Sequence, residues 1–413
     1  MNRLFESWQE ITETIRRHKL RTFLTGLGIW WGVFMLVMLM GSGNGLKTGV
    51  FGQIGEQAMN SIYIWGQSTS LPYAGFQPGR RVSLTTDDVL AIKSGFTEEV
   101  EYLAPRLFIG SESFTVGQKQ VEYEVRGEFP EMTEIEAMNV TSGRFINQND
   151  LDNRRKVLVI GKEVAKMLFP DTDVIGKYLE IRSSKYQIVG VVESLRGGEQ
   201  KQEDEESIMM PLTTAQQVNN SPNIIHYMVA TVQKGISSVE LETRLKLLLK
   251  NRHDVDPKDV EGIGSFNLEE EFRKISNLFL GVDVLIWIVG IGSLIAGVVG
   301  VGNIMLISVK ERTQEIGLRK ALGATPSSIA KNFIVETILI TLIAGYIGLV
   351  SSILAVYGMN VLATDSDFFA APEVKLSVGL GAIFVLVFFS VIVGLIPAMK
   401  AARMNPVEAL RDE

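Results

Sequence analysis

Long apolar runs without any charged residue occur four times along the chain, separated by polar sequence. They are Thr22–Leu46, Val284–Val309, Ile338–Ala363 and Leu376–Met399. An α-helix rises about 1.5 Å per residue and a bilayer core is about 30 Å thick, so runs of more than about 20 residues are long enough to cross it. The pattern therefore predicts a membrane protein with four transmembrane helices.

The sequence between the first and second runs alternates between two shorter patterns. Runs such as Ser61–Trp65 and Lys156–Ile160 have the length and composition of strands, whereas Thr86–Ser94 has helical spacing. This alternation predicts a large α+β domain over residues 47–265. Residues 266–283 hold mixed charges and no proline, which predicts a stalk helix that continues into the second span.

One segment of this domain is strongly acidic. Gly197–Glu206 reads Gly-Gly-Glu-Gln-Lys-Gln-Glu-Asp-Glu-Glu, and we predict a hydrated loop there. An acidic cation site is the alternative, although these carboxylates lack the ordered spacing of a calcium-binding loop.

The distribution of Lys and Arg predicts the orientation of the spans. Residues 1–21 hold five Lys or Arg against three Asp or Glu, and residues 310–331 hold five against two. The formal charge of the whole chain is -7, so the remaining sequence is strongly acidic. Because short basic segments stay on the cytoplasmic side, we expect both termini in the cytoplasm and the α+β domain outside the membrane.

These expectations combine into one predicted architecture. The fold class is an α-helical membrane protein with four transmembrane helices and a large extracytoplasmic α+β domain between the first and the second. The predicted segments are a cytoplasmic amphipathic helix (1–21), the first span (22–46), the extracytoplasmic domain (47–265), the stalk (266–283), the second span (284–309), a cytoplasmic connector (310–332), the third span (333–363), a short extracytoplasmic loop (364–375), the fourth span (376–399) and a cytoplasmic tail (400–413).

Small residues recur four positions apart in the first two spans. The first contains Gly28 and Gly32, and the second contains Gly292, Ala296 and Gly300. This spacing clears one face of a helix, so that another backbone can approach closely. We take these five residues as candidates for a dimer interface, although glycine is also common in membrane helices that do not dimerise.

The sequence contains no recognisable catalytic or cofactor site. It has no cysteine, and its three histidines stand singly, without a second metal ligand at helical spacing. Gly41–Thr48 resembles a phosphate-binding loop only superficially, because Leu46 stands where the pattern has glycine before Lys47. We therefore expect no enzymatic activity, no bound cofactor or metal and no nucleic-acid partner.

The connector between the second and third spans carries the most informative pattern. Val309–Pro326 reads Val-Lys-Glu-Arg-Thr-Gln-Glu-Ile-Gly-Leu-Arg-Lys-Ala-Leu-Gly-Ala-Thr-Pro. It predicts a short amphipathic helix, Thr313–Leu322, that ends at Gly323. The pattern alone leaves two interpretations open: a solvated basic connector, or a docking helix for a cytoplasmic partner.

The sequence resembles a known family in both parts of the chain. Asn303–Ala324 is similar to the signature of FtsX-like permease domains in MacB-type ABC transporters. Arg155–Pro170, Val174–Ile181 and Gln187–Val192 resemble the MacB-type periplasmic core domain. The resemblance extends from about residue 15 to the C-terminus, and it implies the permease subunit of an ABC exporter.

In this family the connector is the coupling element that contacts the ATPase. The resemblance therefore implies that a separate cytoplasmic ABC ATPase subunit, which would hold the ATP and Mg²⁺, docks on the connector. The residues implied at this contact are Glu311, Arg312, Glu315, Ile316, Gly317, Arg319, Lys320, Gly323 and Ala324.

The resemblance also implies a location and a mode of action. It implies an inner-membrane protein with a periplasmic domain, which acts as a homodimer or as a heterodimer with a similar permease. ATP use by the partner would move the periplasmic domain and drive efflux of a periplasmic substrate. A periplasmic adaptor and an outer-membrane channel are further candidate partners, besides the lipid bilayer. Two alternatives stay open: a lipoprotein-releasing permease, and an envelope signalling or cell-division protein that uses the same motion.

Overall fold

The computed structural model describes residues 19–52, 57–116, 119–170, 173–362 and 376–404. Most of the predicted N-terminal amphipathic helix, the predicted loop 364–375 and most of the predicted tail lie outside these residues. The described residues of Met1–Val50 and Leu278–Glu413 form one compact unit, the helical unit, and those of Phe51–Asn277 form a second, the sheet unit.

Helices and strands are numbered separately in chain order. The helices are α1 (Lys19–Gly52), α2 (Thr86–Gly95), α3 (Met132–Ile135), α4 (Gln148–Asp152), α5 (Lys162–Leu168), α6 (Gly198–Glu205), α7 (Leu212–Val218), α8 (Ser238–Arg252), α9 (Leu268–Glu311), α10 (Thr313–Ala321), α11 (Pro326–Leu362) and α12 (Leu376–Arg403). The strands are β1 (Ser61–Gly66), β2 (Leu84–Thr85), β3 (Val100–Val116), β4 (Lys119–Glu128), β5 (Met138–Gly143), β6 (Val157–Gly161), β7 (Tyr178–Ile181), β8 (Ser184–Ser194), β9 (Ser207–Pro211), β10 (Ile224–Ile225), β11 (Tyr227–Val232) and β12 (Ile263–Asn267).

Among the described residues, four helices are long and apolar enough to cross a membrane: α1, α9, α11 and α12. Each contains one of the charge-free runs, and a helix satisfies its backbone hydrogen bonds internally where a bilayer offers no partner. The predicted fold class, four long apolar helices with an α+β domain between the first and the second, is confirmed. Helix α9 runs from Leu268 to Glu311 and includes most of the stretch predicted as a stalk.

Two helix crossings in the helical unit depend on glycine. A Cβ added at Gly32 would lie 3.1 Å from the carbonyl oxygen of Ser293, and one added at Gly348 would lie 2.8 Å from that of Trp30. A residue without a side chain therefore lets α1 approach the backbones of α9 and α11 closely.

Two of the five residues proposed for a dimer interface, Gly28 and Gly32, contact another helix of the same chain. The small face of Gly28 and Gly32 is filled by α9 of the same chain, and a Cβ added at Gly28 would already meet α9 at 4.0 Å. Within the described part of the chain, nothing lies within 4 Å of a Cβ added at Gly292 or Gly300. Ala296, between them, is exposed. Only these three residues stay candidates for contact with a second copy.

The described residues of the sheet unit contain one ten-stranded mixed sheet. Its order is β12-β1-β11-β3-β4-β9-β6-β8-β5, with β7 paired to β8. Strand β6 is apolar at every position from Val157 to Ile160. Leu158 and Ile160 belong to one buried cluster, and Val159 belongs to another. Successive side chains of a strand point to opposite faces, so both faces of the sheet are covered at this strand.

The prediction of a hydrated loop at Gly197–Glu206 is wrong. Residues 198–205 form helix α6, and Asp204 near its end is only 1% exposed. Two buried arginines, Arg126 and Arg196, pair with this carboxylate and stabilise its charge inside the protein. The acidic composition of the segment had indicated that the carboxylate would be hydrated.

Candidate functional site

Helix α10 joins α9 to α11 and ends in a motif that requires glycine. Gly323 has a φ of 95°, a left-handed conformation that glycine adopts without strain. The N–H of Gly323 donates to the carbonyl of Lys320, and the N–H of Ala324 donates to that of Arg319, both at 3.0 Å. These two bonds form a Schellman motif. Gly323 and Ala324 therefore shape the end of α10.

The inner face of α10 is part of the core of the helical unit. Ile316 is 4% exposed and belongs to the same buried cluster as Val309, Ala398 and Ala401. Gly317 is buried beside it. Burial against the protein's own helices does not favour the implied contact of Ile316 and Gly317 with an ATPase, and that contact stays a prediction.

Lys320 fixes the end of the last helix. Its Nζ donates to the carbonyl oxygen of Ala402 at 2.8 Å and to that of Met404 at 2.5 Å. The last carbonyls of a helix have no partner within the helix and carry its negative dipole end, so an ammonium group stabilises them. Lys320 therefore connects α10 to α12.

An ion pair connects the end of α9 to α11. The guanidinium of Arg312 donates to both carboxylate oxygens of Glu336, at 3.1 and 3.3 Å. Both side chains are mostly buried, at 19% and 12% exposed. The guanidinium carbon also lies 5.9 Å from the ring centre of Phe333. Arg312, like Lys320, therefore acts inside the helical unit.

The outer face of α10 remains exposed. Leu318 is 54% exposed, and Leu322, one turn further on, is 80% exposed. Glu315 pairs with Arg319 across the same face at 2.8 Å. Glu311, at the end of α9, is also exposed. The amphipathic pattern of Thr313–Leu322 includes these two leucines at helical spacing, but they are not among the residues implied at the ATPase contact.

The sheet unit holds a second candidate, which sequence reasoning missed: a closed ring of alternating charges, which we call the ion ring. All six side chains are at most 7% exposed. In order around the ring the contacts are Arg106–Glu128 at 2.6 Å, Glu128–Arg126 at 3.1 Å, Arg126–Asp204 at 2.6 Å, Asp204–Arg196 at 2.7 Å, Arg196–Glu136 at 3.4 Å and Glu136–Arg106 at 2.6 Å.

Two carboxylates of the ion ring have shifted pKa values of opposite sign. Burial raises the pKa of Glu128 to about 7, and the attraction of Arg106 and Arg126 only partly opposes this. Burial also acts to raise the pKa of Asp204, but the pairing with Arg126 and Arg196 holds it below its usual value. Glu128 is therefore the member of the ring whose charge can change near neutral pH.

The ion ring joins elements that are far apart in the sequence. It links β3 and β4 to the residue after α3, to the segment after β8 and to α6. The sequence signal was only that Arg106 interrupts an apolar stretch, because Arg126 follows the polar positions of an alternating strand. Among the described residues, no group of three or more His, Cys, Asp or Glu is placed to hold a metal ion.

Comparison with known families gives two matches that together span most of the chain. Residues 22–248 match the MacB-like periplasmic core domain. Residues 287–406 match the FtsX-like permease C-terminal domain. The first match ends within α8 and the second begins within α9, so residues 249–286 lie between the two matches.

Individual proteins similar to this chain are considerably longer than it. The macrolide export ATP-binding/permease protein MacB of Bdellovibrio bacteriovorus is 28% identical over 407 residues, which cover 97% of this chain and 61% of the relative. The pyoverdine export ATP-binding/permease protein PvdT of Pseudomonas putida is 31% identical over 415 residues, covering 99% and 60%. The chain thus spans about 60% of the length of these relatives.

A solved structure is also similar to part of this chain. The periplasmic region of MacB from Actinobacillus actinomycetemcomitans has a TM-score of 0.43 and 17% identity, covering 54% of this chain and 94% of that chain.

Proposed function

Because the chain belongs to the family of the MacB-like periplasmic core domain and also carries an FtsX-like permease segment, we propose that it is the permease subunit of a MacB-type exporter. In this proposal a separate cytoplasmic subunit binds and hydrolyses ATP. The chain converts that work into motion of its sheet unit, which acts on a periplasmic substrate. The names of the relatives, which refer to export of macrolides and pyoverdine, support export as the process.

The division of α10 into a fixed inner face and an exposed outer face carries this proposal. On the inner side Ile316 enters the core, Lys320 binds the end of α12, and Arg312 binds α11. On the outer side Leu318 and Leu322 form an apolar stripe beside the pair of Glu315 and Arg319. A subunit docked on the outer face would push on a helix that is attached to three others, so its displacement reaches the membrane spans.

The proposal includes an orientation and an assembly. The basic segments at 1–21 and 310–331 support termini and connector in the cytoplasm, with the sheet unit in the periplasm. We place the chain in the inner membrane as one half of a dimer, either with a second copy or with a similar permease. A periplasmic adaptor and an outer-membrane channel would complete an export path.

Thiol labelling tests the orientation directly, because the chain has no cysteine of its own. Gln202→Cys lies on α6 and Gln314→Cys on α10, and both positions are exposed. A membrane-impermeant thiol reagent should label Gln202→Cys, but not Gln314→Cys, in intact spheroplasts. After the cells are opened, both should react. Labelling of Gln314→Cys alone in intact spheroplasts would reverse the proposed orientation.

Reconstitution tests the division of labour. The purified chain should hydrolyse no ATP, whereas a complex with its ABC ATPase partner should hydrolyse ATP in liposomes. The matched control is the complex with a Walker-lysine variant of that ATPase, which should be inactive. Hydrolysis by the chain alone, with the same rate after repeated purification, would reject a separate ATPase.

A further inference from the structure

An open cavity of about 980 Å³ lies in the sheet unit and takes no part in the proposed coupling mechanism. All of its lining residues belong to this unit. Most come from β1, β3, β4, β11 and β12, and the others come from the segments around α3 and α6, from the segments that hold Gln57, Arg81 and His226, and from Leu268 at the start of α9. A volume of this size accommodates a drug-sized molecule. The chemistry of its lining indicates what that molecule would be.

One wall of the cavity is aromatic. The strands β12, β1, β11 and β3 are neighbours in the sheet and carry this wall on one face. Ring centres of adjacent members lie 5.7 to 6.3 Å apart. Its members are Tyr63, Trp65, Phe108, Tyr227 and Phe266. Phe266 is 43% exposed, so part of the wall is open to a ligand. Such a face attracts apolar bodies and, through the ring quadrupoles, cations.

The charges that face the cavity are predominantly negative once the ion ring is set aside. The ring contributes four lining residues, Arg106, Arg126, Arg196 and Glu136, and its two other carboxylates, Glu128 and Asp204, pair with these arginines. The net charge of the ring is therefore zero, or +1 while Glu128 is protonated. The other charged lining residues are one arginine and four glutamates: Arg81, Glu122, Glu124, Glu203 and Glu206. All five are exposed, so the excess of carboxylates lies at the rim. A cationic ligand is therefore favoured over an anionic one.

A buried acceptor without a partner also lines the cavity. Gln57 is 6% exposed, and its Oε1 accepts no hydrogen bond from any residue that the structure describes. A buried carbonyl group in this state is unfavourable unless a donor reaches it. A ligand with an N–H group would supply that donor.

We propose that this cavity binds an organic cation that combines an apolar, preferably aromatic, body with an ammonium N–H donor. The aromatic wall holds the body, the rim glutamates attract the charge, and Gln57 accepts the N–H. The site goes beyond the proposed coupling function and does not depend on it, because none of its residues lies in the helical unit.

A series of indoles of one shape and different charge tests the proposal on the intact chain. Binding to the full chain in detergent is followed by fluorine NMR, with empty micelles as the blank. The cation 5-fluorotryptamine should bind at least about tenfold more tightly than the neutral 5-fluorotryptophol, and the anion 5-fluoroindole-3-acetate should bind most weakly. Equal affinity for the three, or no saturation by the cation up to about 10 mM, would overturn the proposal.

Variants then locate the binding. The pair Glu124→Gln and Glu203→Gln should weaken 5-fluorotryptamine binding by about tenfold and leave 5-fluorotryptophol binding unchanged. The matched control, Glu101→Gln with Glu180→Gln, removes two exposed glutamates elsewhere in the sheet unit and should change neither. Equal loss in both pairs would mean nonspecific attraction to an acidic domain and would reject the site.

A third variant tests the role of the buried amide. Gln57→Leu should weaken the binding of 5-fluorotryptamine more than that of its N-trimethylated analogue, which carries the same charge but no ammonium N–H. Phe266→Ala should weaken both to the same extent, because it shortens the apolar wall. If Gln57→Leu affects the two cations equally, Gln57 does not accept the ammonium N–H. The thermal unfolding of every variant is measured alongside, and the ranking of ligands by the unmodified chain remains decisive.

Discussion

The sheet unit and the helical unit use charged residues in opposite ways. The sheet unit closes three arginines and three carboxylates into a ring that is almost entirely buried. The helical unit has no charged residue within its four apolar runs and collects charge at the connector, where Arg312 binds α11 and Lys320 binds the end of α12. Arg319 and Glu315 remain on the surface there.

This difference separates charges that hold the fold from charges available for contact. A buried charge that loses its partner is not solvated by water, so removing the partner lowers the free energy of unfolding of the whole unit. An exposed pair contributes little to stability, because water replaces the partner. The ion ring should therefore be fragile to single substitutions, whereas the outer face of α10 can change without unfolding.

The largest expected effect is the removal of Asp204. Asp204→Ala leaves Arg126 and Arg196 without a shared carboxylate in a buried site, and should lower the free energy of unfolding of the sheet unit by about 3–5 kcal/mol. The neighbouring Glu203 is exposed, so Glu203→Ala should change it by less than about 0.5 kcal/mol. Thermal unfolding followed by circular dichroism compares the two. Similar losses of unfolding free energy in the two variants would contradict the claim that the ion ring holds the fold and the surface charges do not.

The next effect is a pH dependence that originates from Glu128. Its pKa rises from 4.5 in the unfolded chain to about 7 in the folded protein. Between these values the folded state holds a proton that the unfolded state has lost. Stability from this group is therefore present at low pH and is lost as the pH rises through about 7, by up to about 3 kcal/mol.

Unfolding of the intact chain and of Glu128→Gln, measured between pH 5 and 8, isolates this contribution. The variant should lack the decline with pH that the unmodified chain has over this window. Glu122→Gln, which removes an exposed glutamate of the same unit, should retain it. An unchanged decline in Glu128→Gln would assign the pH dependence to another group.

A smaller effect is expected for the pair that links α9 to α11. Arg312→Gln should lower the free energy of unfolding of the helical unit by about 1–2 kcal/mol, because the pair is only partly exposed. The double reversal, Arg312→Glu with Glu336→Arg, should recover much of this loss. The measurement is thermal unfolding in detergent. A double reversal no better than the sum of the two single reversals would indicate that the two side chains do not interact.

The sequence could predict the helical unit in outline because its signals are local. Four charge-free runs exceed the length of a bilayer crossing, and glycine at position 323 marks the left-handed end of α10. Which face of α10 is buried could not be predicted from such local signals. Ile316 is buried by residues of α12 about 80 positions further along the chain, and no local pattern carries that information.

The ion ring lies beyond sequence reasoning for a related reason. Arg106 and Glu136 are 30 residues apart, and Arg126 and Asp204 are 78 apart. Each charge alone resembles a surface residue, so the acidic run at Gly197–Glu206 predicted a loop in water. Gly28 and Gly32 show the same limit: a small-residue face predicts a close helix contact but not whether the second helix belongs to the same chain.

The most direct test of the coupling proposal is the affinity of the ATPase for the outer face of α10. Arg319→Glu reverses a charge there, and its cost to the fold is limited to repulsion from Glu315 of about 0.5 kcal/mol. Losing a partly buried charge contact at an interface costs about 2–5 kcal/mol, and each 1.4 kcal/mol is about tenfold in affinity. Lys331→Glu makes the same charge change at an exposed position of α11.

Co-purification with the ATPase and thermal unfolding should be measured on the same samples. We expect Arg319→Glu to weaken binding of the ATPase by at least about tenfold at an unchanged unfolding temperature, and Lys331→Glu to bind as the unmodified chain does. Full binding and full ATP-dependent activity of Arg319→Glu would contradict the account, and α10 would then be a connector only.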